Sequence, residues 1–159
     1  MPALYSFENV QFLPVSLAEA WNFFSTPENL KELTPPYLHM VVQSRSGSNQ
    51  IYPGQIISYR LKPMLGIPVS WVTEITHVVH ANFFVDEQRF GPYAFWHHAH
   101  FFREVSGGVE MRDLVHYKLP LGFLGQFANR LFVRRQLGGI FQYRKKFLEN
   151  KYPVVNQPL

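Results

Sequence analysis

Three runs decide how this chain folds: Phe84-Val85-Asp86-Glu87-Gln88, then Trp96-His97-His98-Ala99-His100-Phe101-Phe102, then Met111-Arg112-Asp113-Leu114-Val115-His116-Tyr117. Gly91-Pro92-Tyr93 separates the first two and Ser106-Gly107-Gly108 the last two. Alternating runs on either side of a short glycine-bearing loop predict a hairpin, and the loop fixes its register. A turn centred on Ser106-Gly107 sets Val105 opposite Gly108. Counting back, Phe102 faces Met111, His100 faces Asp113, His98 faces Val115 and Trp96 faces Tyr117. Side chains two apart share a face of a strand, which groups Trp96, His98, His100, Phe102, Asp113 and Tyr117. Such a mixture of large aromatics with His and Asp suits neither a dry core nor a solvated surface. It reads as the wall of a pocket.

The composition agrees. The chain has 159 residues, of which 47% are hydrophobic and 16% charged, enough for one domain with a substantial core. Fifteen Phe, eight Tyr and three Trp exceed what a small core needs, and a curved sheet around an apolar cavity would use them. The absence of Cys excludes disulfides and thiolate metal sites. The start, Met1-Pro2-Ala3-Leu4-Tyr5, has no basic segment leading into an apolar run, and no apolar stretch approaches the roughly 20 residues that span a bilayer. A soluble, cytoplasmic protein without stable membrane insertion is expected. The net charge of +4 gathers late, in Arg130, Arg134, Arg135, Arg144, Lys145, Lys146 and Lys151. On a terminal helix these read as a solvated face that complements the helix dipole, rather than a nucleic-acid surface.

Working outward, Leu4 to Leu13 alternates as a first strand with Tyr5, Phe7, Asn9 and Gln11 on one side. Ser16 with Glu19 forms a capping box ahead of Leu17, Ala20, Trp21 and Phe24 at helical spacing. Thr26-Pro27 predicts the cap and first position of a second short helix, which Pro35-Pro36 ends. Strands are predicted over 38–44, 55–61, 69–78, 83–88, 93–104 and 109–119, with Gly, Pro and Asn turns between them. Short connections imply an antiparallel meander. Leu124, Phe127, Leu131, Leu137, Phe141 and Leu148 then mark a long helix from about 122 to 150, with Phe127, Leu131, Leu137 and Phe141 on its buried side. Gly138-Gly139 within it suggests a kink or a close backbone contact.

The resemblance rests on Trp21-Asn22-Phe23-Phe24-Ser25, Pro27-Glu28-Asn29-Leu30, Leu33-Thr34-Pro35-Pro36, Tyr52-Pro53-Gly54-Gln55 and Trp71-Val72-Thr73-Glu74-Ile75. The three runs quoted above, and the continuation Lys118-Leu119-Pro120, complete it. With these pieces the chain resembles the START-like (SRPBCC) superfamily of polyketide cyclases, coenzyme Q-binding proteins and pollen-allergen relatives. Within it, the small bacterial branch loosely labelled "cell division inhibitor" is the most similar. The resemblance implies an α+β helix-grip fold, with a bent antiparallel sheet wrapped around a long C-terminal helix and a deep cavity between them. One ligand-binding domain over 1–152 and a tail over 153–159 are expected.

Fold does not give function, so the chemistry is read from the residues. Counting back from a tight His80-Ala81 hairpin brings Glu74 near Asp86, and a turn at Phe90-Gly91 brings Asp86 near Trp96. The candidate ligand-binding set is therefore Trp71, Glu74, Phe84, Asp86, Gln88, Trp96, His98, His100, Phe102, Asp113 and Tyr117. His100 and Asp113 are the candidate catalytic residues, since a carboxylate beside a His raises its pKa and fixes its tautomer. The same pair also fits a purely structural staple between strands. His98 and His100 with Asp113 have the ligand types of a His/His/carboxylate centre, but alternate His on a strand are common without metal, and neither metal nor cofactor is assigned. His97 points away from His98. No Gly-x-Ser-x-Gly elbow and no phosphate loop occur. Two functions remain open: binding or carriage of a lipid, isoprenoid quinone or aromatic metabolite, and a cyclase, aromatase or hydrolase using the His–Asp pair.

Overall fold

The computed structural model describes residues 4–64 and 66–154; residues 1–3, Leu65 and the tail from 155 onward lie outside it. One seven-stranded antiparallel sheet runs in the order β1-β7-β6-β5-β4-β3-β2. Its strands are β1 (Tyr5–Leu13), β2 (Val41–Arg45), β3 (Gln55–Met64), β4 (Ile67–Val79), β5 (Phe83–Phe90), β6 (Phe95–Val105) and β7 (Gly108–Lys118). Helix α1 (Leu17–Phe24) follows β1, and α2 (Gly122–Ala128) and α3 (Arg134–Lys151) end the chain. The sheet is bent around α3, the helix-grip arrangement expected.

The β6–β7 hairpin has the register read from the sequence, from Trp96↔Tyr117 through His100↔Asp113 to Val105↔Gly108. Gly107, at φ +81°, supplies the left-handed residue of its turn. Ser16 caps α1 by accepting from the Glu19 amide. Thr26 stands at the N-cap position with Pro27 after it, as expected, but its side chain makes no capping bond. Its hydroxyl donates to the Asn22 carbonyl, and the segment after it is a 3-10 turn over Pro27–Lys31. Pro36 does not merely stop this segment, because it opens a second 3-10 turn, Pro36–Leu38, which delays β2 to Val41.

Two features of β4 and of the terminal helix depart from the sequence reading. On β4, Trp71, Thr73 and Ile75 face inward, yet so does Val78, which pairs with Phe84. A bulge between Ile75 and His77 switches the parity. Counting back from the His80–Ala81 turn through unbroken alternation therefore puts Glu74 on the wrong face. The second departure is a π-helical turn, Asn129–Val133, between α2 and α3. Its extra residue per turn breaks the phase of the apolar stripe. Leu137 and Phe141 are buried as expected, whereas Phe127 is 65% and Leu131 46% exposed. Gly138 and Gly139 lie inside α3 with no close backbone contact to explain them; a Cβ built on either meets nothing within 4 Å.

The core has three clusters. Trp21, Phe24, Phe84, Phe102 and Met111 join α1 to the sheet, and Val115, Tyr117, Leu137 and Phe141 join α3 to it. Ile57, Tyr59 and Ile75 form the third, beneath β2–β4. Two glutamines tie α3 across the sheet: Gln11 of β1 donates to the Lys145 carbonyl at 3.3 Å, and Gln136 donates to the Pro63 carbonyl of β3 at 2.6 Å. Among the described residues no helix is long and apolar enough to cross a membrane.

Candidate functional site

A cavity of about 320 Å³ lies between the concave sheet and α3. Its walls are largely apolar, with Phe24, Leu33, Ile57, Leu61, Ile75 and Phe141 among them. Trp71 and Trp96 meet edge-to-face with centroids 5.1 Å apart, and Tyr93 packs against both. Leu119, Phe132 and Val133 line it at the end where the chain leaves β7 and passes through the π turn.

The polar part of the wall comes from β5 and β6. Asp86, His98 and His100 reach the cavity, and Asp113 of β7 lies behind them, only 1% exposed. The two imidazoles stand two residues apart on β6 with ring centroids 3.7 Å apart. His100 Nε2 is 2.7 Å from Asp86 Oδ2, and His98 Nε2 is 2.9 Å from Asp113 Oδ1. The remaining nitrogens complete the square: His98 Nδ1 lies 3.5 Å from Asp86 Oδ2 and His100 Nδ1 lies 3.1 Å from Asp113 Oδ1. The last contact is an ion pair without hydrogen-bond direction, leaving His100 Nδ1 without a hydrogen-bond partner.

These contacts decide the charges. Burial alone would push the Asp113 carboxyl up, but its contacts with His100 and His98 and the charge of Arg144 hold it well below the usual range. Asp86 is likewise held down, with His98, His100 and Trp96 outweighing its burial. Burial and the neighbouring His100 push His98 down, and the two carboxylates do not fully compensate. Burial pushes His100 down, but the carboxylates of Asp113 and Asp86 beside it outweigh burial, so its pKa is raised. The two imidazoles are thus pushed in opposite directions, His98 down and His100 up, with ring centroids 3.7 Å apart in the cavity wall. Burial also pushes the Tyr59 and Tyr93 phenols far above their ordinary value, so both remain neutral.

The residues singled out in the sequence fall into three groups. Trp71, Phe84, Asp86, Trp96, His98 and His100 line the cavity together. Phe102, Asp113 and Tyr117 are on the same face of the sheet but buried behind that lining, Phe102 against Trp21 and Tyr117 against Tyr93. Two lie elsewhere. Glu74 is on the convex face in an ion pair with Arg89 at 2.6 Å. Gln88 spends its amide on the turn after β5, donating to the Tyr93 carbonyl at 2.7 Å and accepting from the Tyr93 amide. His97 is on the convex face beside Glu87 and His116, as its parity requires.

The sequence reading misses Arg144. Grouped there with the solvated basic face of α3, it is in fact 6% exposed, lines the cavity, stacks on Phe141 and places Nη1 3.6 Å from Asp113 Oδ1. The signal is present in the spacing. Arg144 follows Leu137 and Phe141 at seven and three residues on the same helical stripe, where a charge demands a buried partner.

Neither family models nor curated proteins match the sequence. Solved structures do match the fold. TTHA0849 from Thermus thermophilus superposes with a TM-score of 0.68 at 16% identity, covering 96% of this chain and 100% of that one. Protein CV1439 from Chromobacterium violaceum gives 0.69 at 12% identity, over 92% and 96% of the two chains. The di-domain ARO/CYC BexL from the BE-7585A biosynthetic pathway gives 0.68 at 16% identity; this chain is covered over 98% and spans about half of BexL, 51%. At these identities the likeness shows the fold alone, a bent antiparallel sheet gripping a long C-terminal helix.

Proposed function

We propose that this chain binds and carries a hydrophobic small molecule bearing an oxygen function, such as a lipid, an isoprenoid quinone or an aromatic polyketide-like metabolite, in a cytoplasmic setting and without nucleic acid. The observation that carries the reading is the combination of a largely apolar cavity with a buried charged patch, Asp86, His98, His100 and Arg144. Apolar walls cover the body of a ligand, and a few fixed polar groups orient it. The similarity to an aromatase/cyclase module supports a ring-bearing ligand. We further place the chain in the small bacterial branch named from the sequence.

Native mass spectrometry of the purified protein tests this directly, by the mass of a retained ligand. Replacing His100 with Phe should weaken oxygenated ligands and spare hydrocarbons. A second reading, a cyclase- or hydrolase-type enzyme, is favoured by the geometry of His98 and His100, side by side in the cavity wall and each within hydrogen-bond reach of a carboxylate. On that reading the same variant abolishes turnover and leaves substrate affinity nearly intact. Unchanged affinity and turnover would reject both roles for His100.

A further inference from the structure

The square of two imidazoles between two carboxylates does not balance its hydrogens. All four imidazole nitrogens lie within 3.5 Å of a carboxylate oxygen. A neutral imidazole has one N–H and one lone pair. With the His98 proton on Nε2, where Asp113 accepts at 2.9 Å, the Nδ1 lone pair faces the Asp86 oxygen across 3.5 Å. Moving that proton to Nδ1 only transfers the clash to the closer Asp113 contact. A nitrogen lone pair faces a carboxylate oxygen under either tautomer, and His100 Nδ1 is buried without a hydrogen-bond partner. Protonating both rings instead would stack two cations with centroids 3.7 Å apart.

A divalent ion resolves this arrangement. We propose that Asp86, His98 Nδ1 and His100 Nε2 form a binding site for a divalent transition-metal ion that opens onto the cavity. Their donor atoms lie within 4.8 Å of one another. The 3.5 Å between His98 Nδ1 and Asp86 Oδ2 matches the roughly 3.3 Å that separates neighbouring ligands of a tetrahedral ion with bonds of about 2.0 Å. The 2.7 Å between His100 Nε2 and Asp86 Oδ2 must open by about half an ångström, a side-chain adjustment. The carboxylate is Asp86, which lines the cavity, and not Asp113.

Asp113 has a different part. It faces the distal nitrogen of both rings and is itself faced by Arg144, the outer-shell pattern that fixes the tautomer and orientation of metal-bound histidines. Two imidazoles and one carboxylate suit Zn²⁺, Co²⁺, Fe²⁺ or Mn²⁺ and not Mg²⁺ or Ca²⁺. Two carboxylates, Arg144, two neutral imidazoles and a divalent ion sum to a net +1. The remaining coordination position, directed into the cavity, therefore favours an anionic or strongly polarised oxygen, which the apolar walls would hold in place.

The test begins with chelator-treated wild-type protein, titrated with Zn²⁺ and with Co²⁺ by calorimetry. One ion per chain is expected, and the Co²⁺ form should show visible d–d absorption. Imidazole ¹H–¹⁵N spectra of the same wild-type sample should shift at His98 and His100 on adding Zn²⁺ and stay fixed at His97 and His116. These readouts need no variant. His98→Gln and His100→Gln should each lower affinity by tenfold or more, and Asp113→Asn by about 10- to 100-fold. The His97→Gln/His116→Gln protein, altered only on the convex face, should bind unchanged. Absence of uptake, or shifts confined to His97 and His116, would overturn the proposal.

Discussion

Arg144 Nη1 reaches to 3.6 Å of Asp113 Oδ1 from the opposite layer of the molecule, joining α3 to β7 through a pair of groups that are both buried. Neither could be held there alone. The carboxylate needs the guanidinium and the two imidazoles, and the guanidinium needs the carboxylate and the Phe141 ring, over which it sits at 4.8 Å.

Arg144→Met should accordingly cost about 3–5 kcal/mol, because it strands the Asp113 charge in the interior. The double variant Arg144→Met/Asp113→Asn should recover part of that loss. A double-mutant cycle by urea denaturation measures the coupling, and additive losses would show that the pair is not coupled.

Phe141 closes the cavity from the helix side and packs against Phe7 at 4.8 Å between ring centroids. Truncation to Ala should destabilise by about 3–5 kcal/mol and enlarge the cavity. Thermal denaturation checks the first effect. Binding of a bulkier hydrophobic probe than the wild type accepts checks the second.

The glycines give opposite expectations. A Cβ on Gly108 would stand 2.1 Å from the Leu13 carbonyl oxygen, so Gly108→Ala must push β7 away from β1. Its melting temperature should fall by several degrees, corresponding to about 1–3 kcal/mol. Gly138→Ala and Gly139→Ala meet nothing and lie inside a helix, so each should stabilise by about 1 kcal/mol. A loss of stability at either would mean that something occupies the open space beside α3.

Leu121, Phe123, Leu124, Phe127 and Phe132 are all largely exposed around α2 and the π turn. Phe123→Ser and Phe127→Ser should leave stability within about 0.5 kcal/mol, since neither side chain is buried in the core. Unfolding curves that move further would place these rings in a packed interface.

Much of this architecture is legible in the residues. Strand alternation and the Ser106-Gly107 turn are short-range constraints, and they determine the β6–β7 register and the shared face of Trp96, His98 and His100. Hydrophobic patterning sets out the order of elements, and resemblance adds the grip of sheet on helix and the cavity. Other features depend on the folded whole. The bulge in β4 breaks the alternation between Glu74 and the His80–Ala81 turn, and no local propensity encodes it. The π turn that exposes Phe127 and Leu131 sits within an unbroken helical pattern. Sequence reasoning pairs His100 with Asp113, since cross-strand counting compares two neighbours at a time. The tertiary structure brings three strands and a helix to one point, where His100 bonds Asp86, His98 bonds Asp113 and Arg144 completes the charge. Pairing along a strand is set by the period of the backbone, whereas convergence across layers is set by sheet curvature and by the electrostatic demand that buried charges find one another.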